Sequence, residues 1–379
     1  MKPAKIYLDF NASTPIAPEA AEAMRAFLAN SYGNPSSPHW AGVPAKEAVE
    51  RARTRVAALL GCARDEIVFT SGGSESNNHA LKGTFFAHRS RGNHIITTRV
   101  EHPAILEPCR FLQTLGAEVT ILPVDGTGRV DPEDVRKTIT NRTILVTIMH
   151  ANNQVGTIQP IREIAGVARE RGIVFHTDAA QSVGKIPANV DDLSVDLLSV
   201  AAHKLYGPKG VGALYIRKGT QIESLIHGAG HERGRRAGTE NVLLDVGFGV
   251  ACELALTLPG MPQVQQLRDR LWAMLQDAFG DRVRLNGHPT ERLPNTLSVS
   301  FVGQSGSEIL ARLENVAAST GSACHAGHTT MSPVLEAMGV APEVGVGAVR
   351  FSLGRTTTMD EIVDVVDRLK RTVSRNPRS

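Results

Sequence analysis

The chain has 379 residues, 42% of them hydrophobic and 21% charged, with a formal net charge of +3 at pH 7. That length holds one large domain and a smaller one around a sizeable core, and the composition excludes a disordered or collagen-like polymer. So small a net charge gives no ground for a nucleic-acid partner, and no apolar run approaches membrane-spanning length.

Four dispersed cysteines, Cys62, Cys109, Cys252 and Cys324, form no CxxC pair, which argues against a disulfide framework and a zinc knuckle. The opening "MKPAKIYLDFNASTP" lacks an apolar signal region, so the expectation is a cytoplasmic protein with free thiols, binding neither nucleic acid nor membrane.

Short β-branched runs predict strands at 66–70, 94–98, 118–122, 143–149, 173–177, 196–200 and 212–217. Helical patterns lie between several of them, at 74–88, 103–115 and 161–171. Strand–helix alternation with strands apolar on both faces predicts an α/β fold, a mostly parallel seven-stranded sheet covered by helices. A Pro/Gly break then opens one long helix over 258–281. "RVRLNG", "TLSVSF", "AVRFSLG" and a terminal helix follow. The expected division is a large domain over 15–255 and a small α+β domain made of 1–14 and 256–379.

The carboxyl ends of the predicted strands are unusually polar. Ser71-Gly72-Gly73-Ser74 follows the first, Glu101-His102 the second and His150-Ala151-Asn152-Asn153-Gln154 the fourth. Asp178-Ala179-Ala180-Gln181 and His203-Lys204 follow the next two. Each has a bland reading: Ser74 as a helix N-cap, Asp178 as the cap of a following helix, His102 as a satisfied loop histidine. Their gathering on one sheet edge, where open α/β sheets bind ligands, points to a site.

Backbone N–H groups of Gly73 and Ser74 at a helix start suit a phosphate, although the spacing is neither a P-loop nor a dinucleotide fingerprint. A buried carboxylate such as Asp178 can hold a pyridine nitrogen protonated. Lys204 can bind an aldehyde as a Schiff base, and these two are the fixtures of a pyridoxal 5'-phosphate site. Gln181, three residues after Asp178, is expected on a shared helix-start face within reach of the ring oxygen. His102 is placed to stack on the ring and move protons.

With these residues in place, the sequence resembles the pyridoxal-phosphate cysteine desulfurases of the fold-type I, class V aminotransferase-like superfamily, close to the selenocysteine lyases. The resemblance runs through "YLDFNASTP", "YGNPSSPH", "FTSGGSESNN", "EHPAIL", "MHANNQVGTIQPI", "HTDAAQSVGKIP", "HKLYGPKGVGALYIR", "GHERGRRAGTEN", "GSACHAG" and "VRFSLGRTTT". It implies Lys204 as the Schiff-base lysine, Asp178 on the ring nitrogen and Gln181 on the ring oxygen. His102 would stack as acid/base, with Gly73, Ser74 and His203 at the phosphate. Asn153 and Arg350, with Asn11, would bind the substrate, the guanidinium suiting a planar carboxylate. Thr239 would reach the phosphate of a partner subunit, so a homodimer is implied, and the basic run 231–236 is expected at its seam. One departure is Ala201, where many desulfurases carry a serine that contacts the phosphate. Selenocysteine lyases tend to lack that serine and show a pair like Cys324-His325, whereas the length of the following loop is closer to the desulfurases.

Cys62, Cys109 and Cys252 sit in apolar helical or helix-end surroundings and read as small buried hydrophobes. Cys324 lies in "STGSACHAGHTT", with no apolar periodicity, and is expected on an exposed loop as a thiolate nucleophile. A metal site from Cys324, His325 and His328 lacks a fourth close ligand. The expected reaction converts L-cysteine to L-alanine, with Lys204 as base and His102 as shuttle. The sulfur is expected to rest on Cys324 as a persulfide and then pass to an acceptor such as an iron–sulfur scaffold. The alternatives are a selenocysteine lyase acting on L-selenocysteine, a class V aminotransferase-like enzyme that needs no thiol, and a non-catalytic scaffold.

Overall fold

The computed structural model describes residues 5–257, 260–321 and 331–373. Cys324, His325, His328 and the start of the helix expected over 258–281 lie outside them. In chain order the strands are Ile6–Tyr7 (β1), Ile67–Thr70 (β2), His94–Thr98 (β3), Glu118–Leu122 (β4), Thr143–Thr147 (β5), Val174–Asp178 (β6), Leu197–Ala201 (β7) and Gly212–Ile216 (β8). Val283–Asn286 (β9), Thr296–Phe301 (β10), Val316–Ala317 (β11) and Ala348–Ser352 (β12) complete them. The helices that matter to the site are Pro18–Ala29 (α1), Gly42–Leu60 (α2), Gly73–His88 (α3) and Pro103–Gln113 (α4).

Strands β2 to β8 form one seven-stranded sheet in the order β2-β8-β7-β6-β5-β3-β4. Neighbours from β4 through β7 pair parallel, and β8 alone runs antiparallel, to β7 and to β2. All five residues of β3, β5, β6, β7 and β8 are buried, as a sheet covered on both faces requires, while the edge strand β4 keeps exposed positions. Alternate residues serve opposite cores. Phe69, Ile96, Val146, Phe175, Leu198 and Ala213 face one, and Val68, Ile95, Leu145, Val174, Leu197 and Leu214 face the other.

From β3 the chain steps outward to β4 and then returns to the other side for β5, β6 and β7, so the winding reverses between β3 and β5. A crevice opens at such a reversal beyond the carboxyl ends of the strands. The loops that fill it are those after β2, β3, β5, β6 and β7.

A second core joins Ile6 and Leu8 to Leu271, Leu275, Val299, Phe351 and Leu369. It covers the antiparallel sheet β12-β10-β9. The parallel pair β1–β11 ties the N-terminal segment to this part of the chain. Helices Met261–Phe279 and Met359–Val373 pack on it.

The strands fall within two residues of their expected positions. The one expected over 143–149 ends at Thr147, and the Met149 N–H turns to both oxygens of the Glu101 carboxylate, at 3.0 and 3.1 Å. Ser74 is not an N-cap: α3 is capped by Gly72 at φ +144°, and Ser74 stands within the first turn. No helix starts at Asp178; the next is the single turn Val190–Leu193. The carboxylate Oδ1 accepts the Ala180 N–H at 2.9 Å, and residues 180–185 run as turns.

Helices α1 and α2 were not legible as periodic segments, and Val242–Ala255 only around Cys252, because small residues make their contacts. A Cβ on Gly249 would lie 2.6 Å from the Ala52 Cα, and one on Gly247 would lie 2.5 Å from the Met24 sulfur.

The basic run 231–236 is largely engaged within the chain. Glu232 is buried, accepting from Arg53 Nη1 at 2.6 Å, Arg53 Nη2 at 2.9 Å and the Phe69 N–H at 3.1 Å. Arg236 pairs with Glu75 at 2.8 Å. Arg53 keeps a second carboxylate, Glu50 at 3.0 Å. Glu232→Gln therefore weakens the buried pair without leaving the guanidinium alone and should lower the unfolding free energy by about 1–3 kcal/mol, checked by urea denaturation; no measurable loss would mean that Glu50 alone satisfies Arg53.

Candidate active site

A cavity of about 370 Å³ occupies the crevice. It is lined by Asn11, Gly73, Ser74, His102, Asn153, Asp178, Gln181, His203, Lys204 and Arg350. Thr239 does not line it and is exposed on the segment before Asn241.

At one side α3 begins. The Ser71 N–H is taken by Glu75 and the Gly72 N–H faces the Thr70 hydroxyl, which leaves the first-turn residues Gly73 and Ser74 against the cavity. A Cβ on Gly73 would stand 3.4 Å from that of Ala201 and narrow this end. His203 borders the cavity, its carbonyl held by the Thr14 N–H and hydroxyl at 2.9 and 3.1 Å. Burial and the cations of Lys204, Lys209 and Lys185 push its imidazole down to about 4, so it is neutral at pH 7.

Asp178 ends β6, and its two oxygens accept separately, Oδ1 from Ala180 and Oδ2 from Asn77 Nδ2 at 2.7 Å. Asn77 stands four residues after Gly73 on α3 and so lines the same cavity. The first asparagine of "SNN" showed no such role in the sequence.

His102 caps α4: its Nδ1 accepts the Ala104 N–H at 3.1 Å, which puts the proton of the neutral ring on Nε2. Burial lowers its pKa, Asp178 opposes that and Lys204 adds to it. The neighbouring Glu101 is buried. Burial pushes its carboxyl up to about 8, against the bonds from Met149 N–H and the Thr98 hydroxyl.

Lys204 closes a short 3-10 turn, Ala202–Lys204, directly after β7. Its Nζ donates to the carbonyls of Asn11 and Ala12, both at 2.7 Å. Burial first, and the Arg350 guanidinium second, bring its ammonium down to about 8.

Asn11 joins the two cores. Its Nδ2 donates to the Asn153 carbonyl and the Thr296 hydroxyl, and its Oδ1 accepts from Asn295 and Lys185. Arg350 reaches in from β12. It donates to the Asn153 carbonyl at 2.9 Å and to Asp9 Oδ1 at 2.7 Å, and its buried Nε has no partner among the described residues. The cavity thus offers a helix start and a neutral imidazole at one end. It also presents an oriented carboxylate, a low-pKa amine and a guanidinium fork.

Among the described residues, no helix is long and apolar enough to cross a membrane.

The class-V aminotransferase family model matches residues 6–365. The cysteine desulfurase IscS of Dictyoglomus turgidum is 50% identical over 375 residues, spanning 98% of this chain and 95% of that protein. The cysteine desulfurase IscS of Methanosarcina thermophila is 47% identical over 96% of this chain and 90% of its own length. Among solved structures, a NifS-like protein superposes with a TM-score of 0.91 at 38% identity, covering 98% of this chain and 99% of that one. SspA in complex with cysteine gives 0.83 at 38% identity, covering 93% and 100%. An extensive match of this kind, over a sheet edge so furnished, has one meaning: the chain belongs to the cysteine desulfurases of the class-V aminotransferase family.

Proposed function

We propose that the protein is a pyridoxal-phosphate-dependent cysteine desulfurase that takes sulfur from L-cysteine, leaves L-alanine and carries the sulfur as a persulfide on Cys324. The observation that carries this reading is the convergence of Lys204, Asp178 and the α3 N-terminus on one cavity.

The residues present fit the cofactor. The cavity falls in the range that holds a small ligand. Gly73 leaves room that a side chain would take, and the N–H groups of a helix start suit a dianionic phosphate. Two buried polar atoms of the lining residues, Asn77 Oδ1 and Arg350 Nε, stand without a partner among the described residues. Lys204 would hold the aldehyde carbon, Asp178 the ring nitrogen and Gln181 the ring oxygen. His102 would lie on the ring face, with Gly73, Ser74 and His203 at the phosphate. Ala201 offers no hydroxyl there. When bound, the cofactor supplies an electron sink for the charge left on the substrate's α-carbon.

The chain's own groups do the rest. Arg350, oriented by Asp9, and Asn153 would grip the substrate carboxylate, with Asn11 holding Asn153 in place. Lys204 Nζ takes the α-proton, which an amine with pKa about 8 does far better than an ordinary lysine. The Cys324 thiolate attacks the substrate sulfur: an S–S bond forms, the C–S bond breaks and its electron pair stays on carbon. His102 Nε2–H is placed to return a proton. The products are alanine and a persulfide, with no outside oxidant. Burial pushes the thiols of Cys62 and Cys109 up to about 12, and that of Cys252 well up, so none of these three competes at neutral pH.

Because the neutral amine is the nucleophile, cofactor uptake by the apoprotein should accelerate as pH rises from 7 to 9, with an inflection near 8. Stopped-flow absorbance checks it, and a rate still climbing past pH 10 would place the amine at its ordinary value.

The reading extends to a homodimer with Thr239 directed to the partner's site, a sulfur-acceptor protein such as an iron–sulfur scaffold, and a cytoplasmic setting. It also takes 15–255 as the large domain and 1–14 with 256–379 as the small one, supported by the partition into separate cores. Incubation with L-cysteine and a reductant should yield alanine and sulfide in equal amounts. Accumulation of a keto acid would identify an aminotransferase instead, and turnover confined to L-selenocysteine would identify a lyase for that substrate.

A further inference from the structure

Lys185 is buried, 6% exposed, yet pairs with no carboxylate among the described residues. Its Nζ donates to Gln181 Oε1 at 2.8 Å and to Asn11 Oδ1 at 3.3 Å, both neutral oxygens. Burial, Lys204 and Arg350 all work against its charge. A lysine kept there only to fill space would be worse than a methionine of the same length, because desolvating an amine without a counter-charge is costly.

What the amine does is visible on Gln181. A carboxamide can be rotated end for end, exchanging its donor and acceptor faces. Here Oε1 is engaged by Lys185 and one Nε2–H by the Asn11 carbonyl at 3.0 Å. The reversed amide would set its donor against the lysine and its oxygen against the Asn11 carbonyl. The remaining N–H belongs to a residue that lines the cavity.

We propose that Lys185 is a positioning residue of this site: by binding Gln181 Oε1 from behind, it locks the amide with its donor end toward the cavity, where an anionic ring oxygen would accept it. This rests on the cofactor reading above. The same amine ties Gln181 to Asn11, whose carbonyl also holds Lys204, so one buried group sets the direction of two cavity residues.

The test uses pyridoxal phosphate itself, titrated into apoprotein and followed by absorbance. Lys185→Met should weaken its binding by about tenfold, the worth of one buried hydrogen bond. It should also shift the pH at which the visible band titrates, while the apoprotein unfolds at the wild-type temperature or above. Gln181→Leu should produce the same two changes, and adding Lys185→Met to it should produce nothing more. Should the methionine variant not fold, Lys185→Gln is read in its place. Lys185→Met binding within twofold of wild type, or weakening binding equally in the Gln181→Leu background, would overturn the proposal and leave the cofactor reading intact. Wild-type protein that takes up no pyridoxal phosphate would overturn the cofactor reading itself.

Discussion

Lys204→Ala is expected to lower alanine formation by about 10⁴-fold or more, since it removes both the attachment point and the base. The variant should still bind pyridoxal phosphate weakly, through the α3 start and Asp178, but with the absorbance of the free aldehyde. The position of Lys204 makes the prediction sharp. Its amine is directed by two carbonyls of the N-terminal segment, and its pKa of about 8 leaves an appreciable neutral fraction at pH 7.5. Lys185, the other buried lysine nearby, cannot take over while both its bonds point at Gln181 and Asn11. Activity within tenfold of wild type would assign the base to another residue.

Cys324→Ala is expected to leave the visible band and its pH dependence unchanged while lowering sulfur release by about three orders of magnitude or more. The separation matters, because the two variants divide the chemistry between the carbon and the sulfur of the substrate. Mass spectrometry of wild-type protein after L-cysteine and without reductant should find 32 Da added at Cys324. Adduct on Cys62, Cys109 or Cys252 instead, or undiminished alanine formation by Cys324→Ala, would remove the persulfide from the account.

Much of this was legible in the chain. Strand positions and the polar edge follow from β-branched runs ending in His, Asp, Asn and Gly, because a buried strand must be apolar and its carboxyl end need not be. Lys204 and Asp178 stood out as charges at strand ends. Roles that depend on which way an amide or a ring nitrogen faces were not legible. Asn77 reads as helix surface until α3 is laid beside β6. Lys185 reads as an ordinary loop lysine until Gln181 turns back on it. Helix α2 was missed because its buried face is half alanine and glycine, with Val49, Val56 and Leu60 spaced apart, and a close backbone approach at Ala52 holds it to the helix containing Gly249. After Asp178 the carboxylate makes the i+2 bond of a helix start to the Ala180 N–H, but the chain continues only as turns over 180–185.

The most direct measurement is reduction of the holoenzyme with borohydride, followed by proteolysis and mass mapping of the lysine that retains the cofactor. The account predicts a pyridoxyl group on the peptide containing Lys204 and on no other lysine. A label on Lys185 or Lys209, or a protein from which all the cofactor dialyses away after reduction, would contradict it.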